Sequence, residues 1–375
     1  MSIYRHQNKR TLEELAEEIQ IKEERIRNFL VEEQLDGIII GKNYNFAWLT
    51  AGGNNKLTNN QETGAAEILI TKGNKYILTN NLEEQRLREE EVFNQEFTFL
   101  KRKWHEHRTV DNLTSGLKLG SDLPTKGVRY VGQELAELRY SLTDSELAKY
   151  KDIGQKVGQI ITAICRQLEP GVSEHEVAGL LAKELWSVGI TPVSLLVAAD
   201  ERITKYGHPQ PTDKRANNRV IISLAAQCEG LIVSLTRLVS FGSLPYQLVE
   251  RFDDLFELEK LYLAGTEVEE EVAELFKKVV AKYKDLGYDD EWELSDHGGA
   301  LGYTVRDYLV TAASDKKIKE NQPLAWSPAL PGLKLEDTVV ATAEGPELIT
   351  MDSEWPHRSY VIQGRKFIRP EVMVL

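Results

Sequence analysis

Three capping boxes and four extended stretches alternate over the last 230 or so residues, and this alternation constrains the fold more than any other feature. In each box a Ser or Thr precedes a Glu by three positions and begins a helical apolar repeat, as at Thr143 with Glu146, Ser173 with Glu176, and Thr266 with Glu269. The extended stretches are residues 192–198, 220–224, 231–241 and 335–343. We therefore predict an α+β domain whose helices are segregated from antiparallel strands.

The first third of the chain has a different pattern. Thr11 and Glu14 form another capping box before a helical repeat, and short apolar runs follow between turn residues. We interpret the runs as strands of a mixed sheet, at residues 38–40, 46–49, 67–71, 75–79 and 128–131. The predicted fold is thus an α/β domain at residues 1–138 followed by the α+β domain at residues 139–375.

Composition excludes several classes of partner. Because 59 acidic residues outnumber 46 basic ones, the net charge of −13 disfavours nucleic acid and anionic membranes. No apolar run is long enough to span a bilayer, and the N-terminal segment lacks the apolar centre of a signal peptide. Two cysteines in apolar surroundings fit a reducing compartment. We expect a cytoplasmic protein.

Ser223 and Ser234 lie eleven residues apart on predicted strands, the second within the sequence Ser-Leu-Thr-Arg that ends at Arg237. With the landmarks that follow, this half of the chain resembles the pita-bread hydrolases, which include aminopeptidase P, prolidase, methionine aminopeptidase and the metal-free enzyme creatinase. The first half, with its segment 45–52, resembles the creatinase-type N-terminal domain. The resemblance implies a creatinase-like α/β domain followed by a pita-bread domain.

The metallopeptidases of this family hold two divalent metals with two Asp, one His and two Glu. By resemblance, the two Asp positions fall on Ser223 and Ser234, and the first Glu position falls on Ser327. The last Glu is retained as Glu336, and the His position falls on His297 or, after a one-residue slip, on Asp296. Because hydroxyls do not offset the charge of dications, we expect no paired metals and no other cofactor. A single adventitious cation near Glu336 and His297 stays open.

The remaining polar groups suggest other chemistry. His208 matches the acid/base histidine of creatinase by its place before the strand of Ser223, and a histidine exchanges protons near neutral pH. His297 and Glu336 are predicted to act with it. Arg237 could bind a substrate carboxylate, or pair with Glu336 or Asp337. The other predicted pocket residues are Ser223, Ser234, Ser327, Tyr303 and Arg306.

The leading hypothesis is a creatinase- or prolidase-like hydrolase that cleaves a small C–N bond in an amide, amidine or short peptide without a metal pair. One alternative is an Xaa-Pro aminopeptidase or dipeptidase with a degenerate metal site. The other is a pita-bread protein that binds a partner without catalysis. The resemblance also implies a homodimer.

Overall fold

The computed structural model describes residues 11–106 and 114–375. Residues 1–10, which form most of the N-terminal segment without a signal-peptide pattern, lie outside the described residues. The chain divides into two compact units. The first comprises Met1–Arg139, Thr143–Glu146 and Glu229–Leu231, and the second comprises Tyr140–Leu142, Leu147–Cys228 and Ile232–Leu375. No helix within the described residues is long and apolar enough to cross a membrane.

The first unit contains a six-stranded mixed sheet. Helix α1 (Leu12–Glu32) precedes it and begins with the predicted capping box, in which the Thr11 hydroxyl accepts from the Glu14 N–H at 3.1 Å. The strands are β1 (Gly37–Lys42), β2 (Thr63–Thr71), β3 (Lys75–Asn80), β4 (Thr98–Arg102), β5 (Leu119–Ser121) and β6 (Arg129–Tyr130), in the order β4-β3-β2-β1-β5-β6. Parallel and antiparallel pairs coexist, which confirms the predicted mixed sheet.

The strand predicted at residues 46–49 is wrong, because Asn43–Leu49 forms helix α2. A short apolar run fits a buried strand and a buried helix equally well. The contacts that decide between them come from Asp122, whose carboxylate accepts from the N–H of Gly41 and Lys42 at 2.7 and 3.0 Å, and from the Asn45 amide at 2.8 Å. These bonds turn the chain out of β1 and place a negative charge at the start of the helix. The described residues of this unit also form three short elements, namely α3 (Glu84–Arg86), a π-helical turn (Leu87–Glu91) and α4 (Gly132–Glu137).

The remaining chain combines long helices with sheets in which antiparallel pairs predominate, with one short parallel pair, and this confirms the predicted α+β class. Its helices are α5 (Asp144–Cys165), α6 (Glu174–Ser187), α7 (Arg202–Lys205), α8 (Tyr246–Ala264), α9 (Val272–Asp285) and a 3₁₀ turn (Glu291–Glu293). One sheet has the order β19-β9-β8-β7, with β7 (Thr191–Ala199), β8 (Arg219–Cys228), β9 (Leu231–Ser240) and β19 (Met373–Val374).

A second sheet has the order β11-β10-β12-β15-β16. Its strands are β10 (Gly298–Ala300), β11 (Tyr308–Leu309), β12 (Gln322–Trp326), β15 (Asp337–Thr342) and β16 (Gly345–Leu348). Two separate hairpins are formed by β13 (Ala329–Leu330) with β14 (Leu333–Lys334), and by β17 (His357–Ile362) with β18 (Arg365–Pro370). Helices α8 and α9 pack their apolar faces against residues of β12 and β15 in one core.

Two of the predicted helix starts in this part are confirmed and one is wrong. Thr143 and Ser173 cap α5 and α6 through their paired glutamates. Thr266 caps no helix, since its hydroxyl donates to the Tyr262 carbonyl at 2.7 Å and accepts from the Trp326 indole at 2.8 Å. Helix α9 begins six residues later, at Val272.

Candidate active site

Three strands of the second unit bring hydroxyls and a carboxylate together. Ser223 lies on β8, whereas Ser234 and Thr236 are alternate residues of β9 and therefore share one face of it. Glu336 immediately precedes β15 and pairs with Thr236 in an isolated antiparallel bridge, in which the Thr236 N–H donates to the Glu336 carbonyl at 2.8 Å. The Ser223 and Thr236 hydroxyls lie 2.8 Å apart. Ser223, Ser234 and Glu336, which the resemblance places at metal-ligand positions, therefore belong to one spatial cluster.

Glu336 is buried, and both of its carboxylate oxygens have partners. Oε1 accepts from the Ser234 hydroxyl at 2.7 Å and from the Arg306 guanidinium at 3.0 Å. Oε2 accepts from the Thr236 hydroxyl at 3.1 Å and lies 3.1 Å from the Lys334 ammonium. Burial acts to raise the pKa of Glu336, but the charges of Lys334 and Arg306 and the hydrogen bonds from Ser234 and Arg306 hold that pKa well below its usual range. Glu336 is therefore a fixed anion.

Asp296 faces the same site from the loop before β10. Its Oδ1 accepts from the Gly298 N–H at 3.0 Å and lies 3.9 Å from the Arg306 guanidinium. Its Oδ2 lies 3.6 Å from Nε2 of His208, which is mostly exposed. The Ser327 hydroxyl is fully buried and donates to the main-chain carbonyl of Asp296 at 3.1 Å. Asp296, rather than His297, is the residue that the structure brings together with His208 and Arg306.

His297 points away from this cluster into an aromatic core. Its Nδ1 lies 2.9 Å from the Tyr262 hydroxyl, and its Nε2 lies 2.8 Å from the Trp292 carbonyl. The rings of Phe276 and Tyr283 pack edge-on against it. Burial lowers the pKa of His297, although the Trp292 carbonyl and the Asp296 charge act in the opposite direction. With both nitrogens engaged, this imidazole holds the core together and is not presented to the cavity.

Two predicted pocket residues are likewise placed in the interior. Arg237 is 2 % exposed and forms a bidentate pair with Asp337 through bonds of 3.1 and 2.8 Å. Its two terminal nitrogens also donate to the main-chain carbonyls of Thr236 and Thr350, so both are used in structural contacts, and only Nε has no hydrogen-bond partner among the described residues. Tyr303 is 1 % exposed. Of the two roles considered for Arg237, substrate binding and structural pairing, its contacts are those of a pair with Asp337.

A cavity of about 470 Å³ opens beside the cluster. Its polar lining includes His208, Asp296, Ser223, Lys334 and Lys205. Its apolar lining includes Leu196, Ile203, Ile221, Leu330, Pro331 and Leu333. The volume is that of a small-molecule site, and the mixture of an apolar wall with a few convergent polar groups is typical of such sites.

The donor set does not fit a pair of divalent cations. Hard dications are held by several carboxylates or imidazoles, which neutralise their charge. Here the positions that the resemblance assigns to three of the carboxylates hold serine hydroxyls, and two cationic side chains already contact Glu336. Within residues 11–106 and 114–375, no three His, Cys, Asp or Glu side chains are grouped so that they could hold a metal ion.

Two residues of the site carried weak signals in the sequence. Lys334 stands two positions before Glu336, and because side chains two apart on an extended segment share a face, this spacing is a signal that the two are neighbours. Thr236 was visible only as the residue before Arg237. The register alternative between Asp296 and His297 could not be decided because neighbouring residues on extended backbone point to opposite faces, and which face is inward depends on the sheet.

Comparisons with known proteins agree with this architecture. Residues 148–343 match the model of metallopeptidase family M24, and residues 23–141 match the creatinase/prolidase N-terminal domain. An uncharacterized peptidase of Staphylococcus saprophyticus is 22 % identical over 232 residues, which are 59 % of this chain and 65 % of that protein. The aligned region thus spans slightly less than two thirds of this relative.

Solved structures of low identity have the same fold. An Xaa-Pro dipeptidase from Bacillus anthracis superposes with a TM-score of 0.75 at 20 % identity, covering 95 % of this chain and 100 % of that one. The prolidase from Pyrococcus horikoshii OT3 also gives a TM-score of 0.75, at 19 % identity, covering 88 % and 98 %. At these identities the likeness shows the fold alone, and any chemistry has to be argued from the residues of the site.

Proposed function

This chain belongs to metallopeptidase family M24, and we propose that it is a divergent, prolidase-like member that hydrolyses a small C–N bond without a paired metal centre. The observation that carries the proposal is the placement of His208 3.6 Å from Asp296 at the cavity that Ser223 and Lys334 also line. A histidine beside a carboxylate, open to a cavity, is a suitable general acid and base.

The chemical roles follow from these positions. His208 takes a proton from the water that attacks the carbonyl or amidine carbon, and later returns it to the leaving nitrogen as the C–N bond breaks. Asp296, whose Oδ2 lies 3.6 Å from Nε2 of His208, orients the imidazole. The Ser223 hydroxyl, which contacts Thr236, provides a hydrogen-bonding group at the cavity wall. Glu336 is committed to four neighbours and serves as a structural anion rather than as a base.

The test is a panel of small amides, amidines and Xaa-Pro dipeptides assayed with the full chain and three variants. We expect turnover of at least one member, a loss of at least about 100-fold in kcat for His208→Ala, and a smaller loss for Asp296→Asn. His175→Ala is the matched control, because His175 is also exposed and also lies beside a carboxylate, with Asp213 at 3.1 Å, but does not line the cavity. Turnover that survives His208→Ala would refute the assignment.

A second candidate function is ligand binding without catalysis, which the saturated contacts of Glu336 favour. In that case the panel gives no turnover, while a partner or small molecule still binds at the cavity and protects its residues from solvent. The relatives' peptidase names suggest a peptide or small-molecule ligand in either case. The predicted homodimer and cytoplasmic location remain part of the proposal, and sedimentation of the full chain tests the former.

A further inference from the structure

Lys334 separates Glu336 from the cavity. The Lys334 side chain lines the cavity and retains 19 % of its exposure, whereas that of Glu336 is 4 % exposed and is absent from the lining. The Lys334 ammonium lies 3.1 Å from Oε2 of Glu336, whereas Arg306 contacts the other carboxylate oxygen, Oε1. A cation that approached Glu336 from the cavity would therefore meet the charge of Lys334.

The charges of this cluster balance. Two carboxylates, Glu336 and Asp296, face two side-chain cations, Arg306 and Lys334. Arg306 lies 3.0 Å from a Glu336 oxygen and 3.9 Å from an Asp296 oxygen, and therefore bridges the two carboxylates. The hydroxyls of Ser234 and Thr236 complete the shell around Glu336. A buried carboxylate needs both compensating charge and hydrogen bonds, and this shell supplies both without a metal.

We propose that Arg306 and Lys334 are built-in cations that take the place of the metal ions of the family, and that Lys334 binds the ligand's carbonyl or carboxylate oxygen from the cavity. The inference deepens the proposed function, and its second half rests on it. An ammonium carries three N–H donors, and the one carboxylate contact described for Lys334 uses one of them. The cavity side of the group is thus suited to an oxygen acceptor.

A metal-binding experiment tests the first half without any assay of activity. The folded full chain and its variants are titrated calorimetrically with Mn²⁺ alone. Lys334→Met removes the charge at nearly constant length, and Lys334→Arg keeps it. Lys205→Met is the matched control, because it removes the same charge from the same cavity at a residue with no described contact to Glu336.

We expect the wild-type chain and the Lys334→Arg and Lys205→Met variants to bind Mn²⁺ weakly. Lys334→Met is expected to bind it at least about tenfold more tightly, because a like charge a few ångströms from the ion has been removed. Equal or tighter binding by the wild type would overturn the proposal. If Lys334→Met does not fold by circular dichroism, Lys334→Gln replaces it, and the wild-type titration already decides whether the site prefers a metal.

Turnover tests the second half. With a substrate from the panel, Lys334→Met is expected to lower kcat at least about tenfold while Lys334→Arg restores part of it. An unchanged kcat in Lys334→Met would refute a contact with the reacting oxygen. Failure of the whole panel would count against the proposed hydrolase, whereas the Mn²⁺ titration would still support or contradict the built-in cations.

Discussion

Replacing Arg237 by Met is expected to destabilise the protein rather than to weaken ligand binding. The guanidinium is 2 % exposed and makes two bonds to Asp337, one to the Thr236 carbonyl at 2.9 Å and one to the Thr350 carbonyl at 3.0 Å. It also lies over the Trp355 ring, 5.5 Å from its centroid. Methionine fills most of this volume but can donate none of these bonds.

The magnitude follows from what remains after the substitution. Breaking a buried ion pair costs about 3–5 kcal/mol, because the partner is left as an uncompensated charge. Asp337 keeps Arg369 at 2.8 Å and the Thr350 hydroxyl at 2.6 Å, so the loss should be near the lower end, about 3 kcal/mol. Arg369 in turn retains Glu259, and the rest of this buried chain of charges persists.

Urea unfolding followed by tryptophan fluorescence measures the loss. Glu347→Gln is the control, since its pair with Lys151 at 2.6 Å is exposed on both sides and should contribute no more than about 1 kcal/mol. A change below about 1 kcal/mol for Arg237→Met, together with weaker ligand binding, would refute the structural role and restore the substrate-binding one.

Three further predictions concern acid stability, backbone conformation and thiol reactivity. The folded-state pKa of Glu336 is lowered, so its stabilising contribution is present above the unfolded pKa and is lost on acidification. The unfolding free energy of Glu336→Gln should therefore fall less than that of the wild type between about pH 5 and pH 3. A series of urea titrations measures this difference. Gly298→Ala should cost more than about 2 kcal/mol on urea unfolding, since Gly298 has φ of +89° and a Cβ there would lie 1.9 Å from the Ala325 carbonyl; a neutral effect would contradict the local geometry. Cys165 is fully buried, and burial raises the pKa of its thiol to about 12. An aromatic disulfide reagent should therefore modify the half-buried Cys228 first and Cys165 only on unfolding. Peptide mass spectrometry would detect this order.

Local sequence patterns predicted those parts of the fold that local interactions decide. The boxes at Thr11, Thr143 and Ser173 are helix starts because the side chains that cap the backbone lie within one turn. The box at Thr266 is not, since its hydroxyl is used by Tyr262 and Trp326, the latter sixty residues away in the chain. Helix α8 was not predicted at all, although its apolar residues pack into the same core.

The candidate site was predictable in its positions but not in its contacts. The resemblance to the pita-bread hydrolases identified Ser223, Ser234 and Glu336, and these residues do cluster in the structure. Nothing local distinguishes Asp296 from His297, since the choice depends on which of two neighbours faces the cavity. The contacts of Glu336 with Ser234 and Arg306 likewise depend on where distant parts of the chain are placed.

The most direct test of metal-independent hydrolysis is turnover of the best panel substrate by full chain stripped of metal with a chelator and assayed in chelated buffer. We expect an unchanged kcat, no increase on adding Mn²⁺, Zn²⁺ or Co²⁺, and loss of the activity in His208→Ala. Activity that disappears on chelation and returns with one of these ions, bound at two equivalents per chain, would contradict metal-independent hydrolysis.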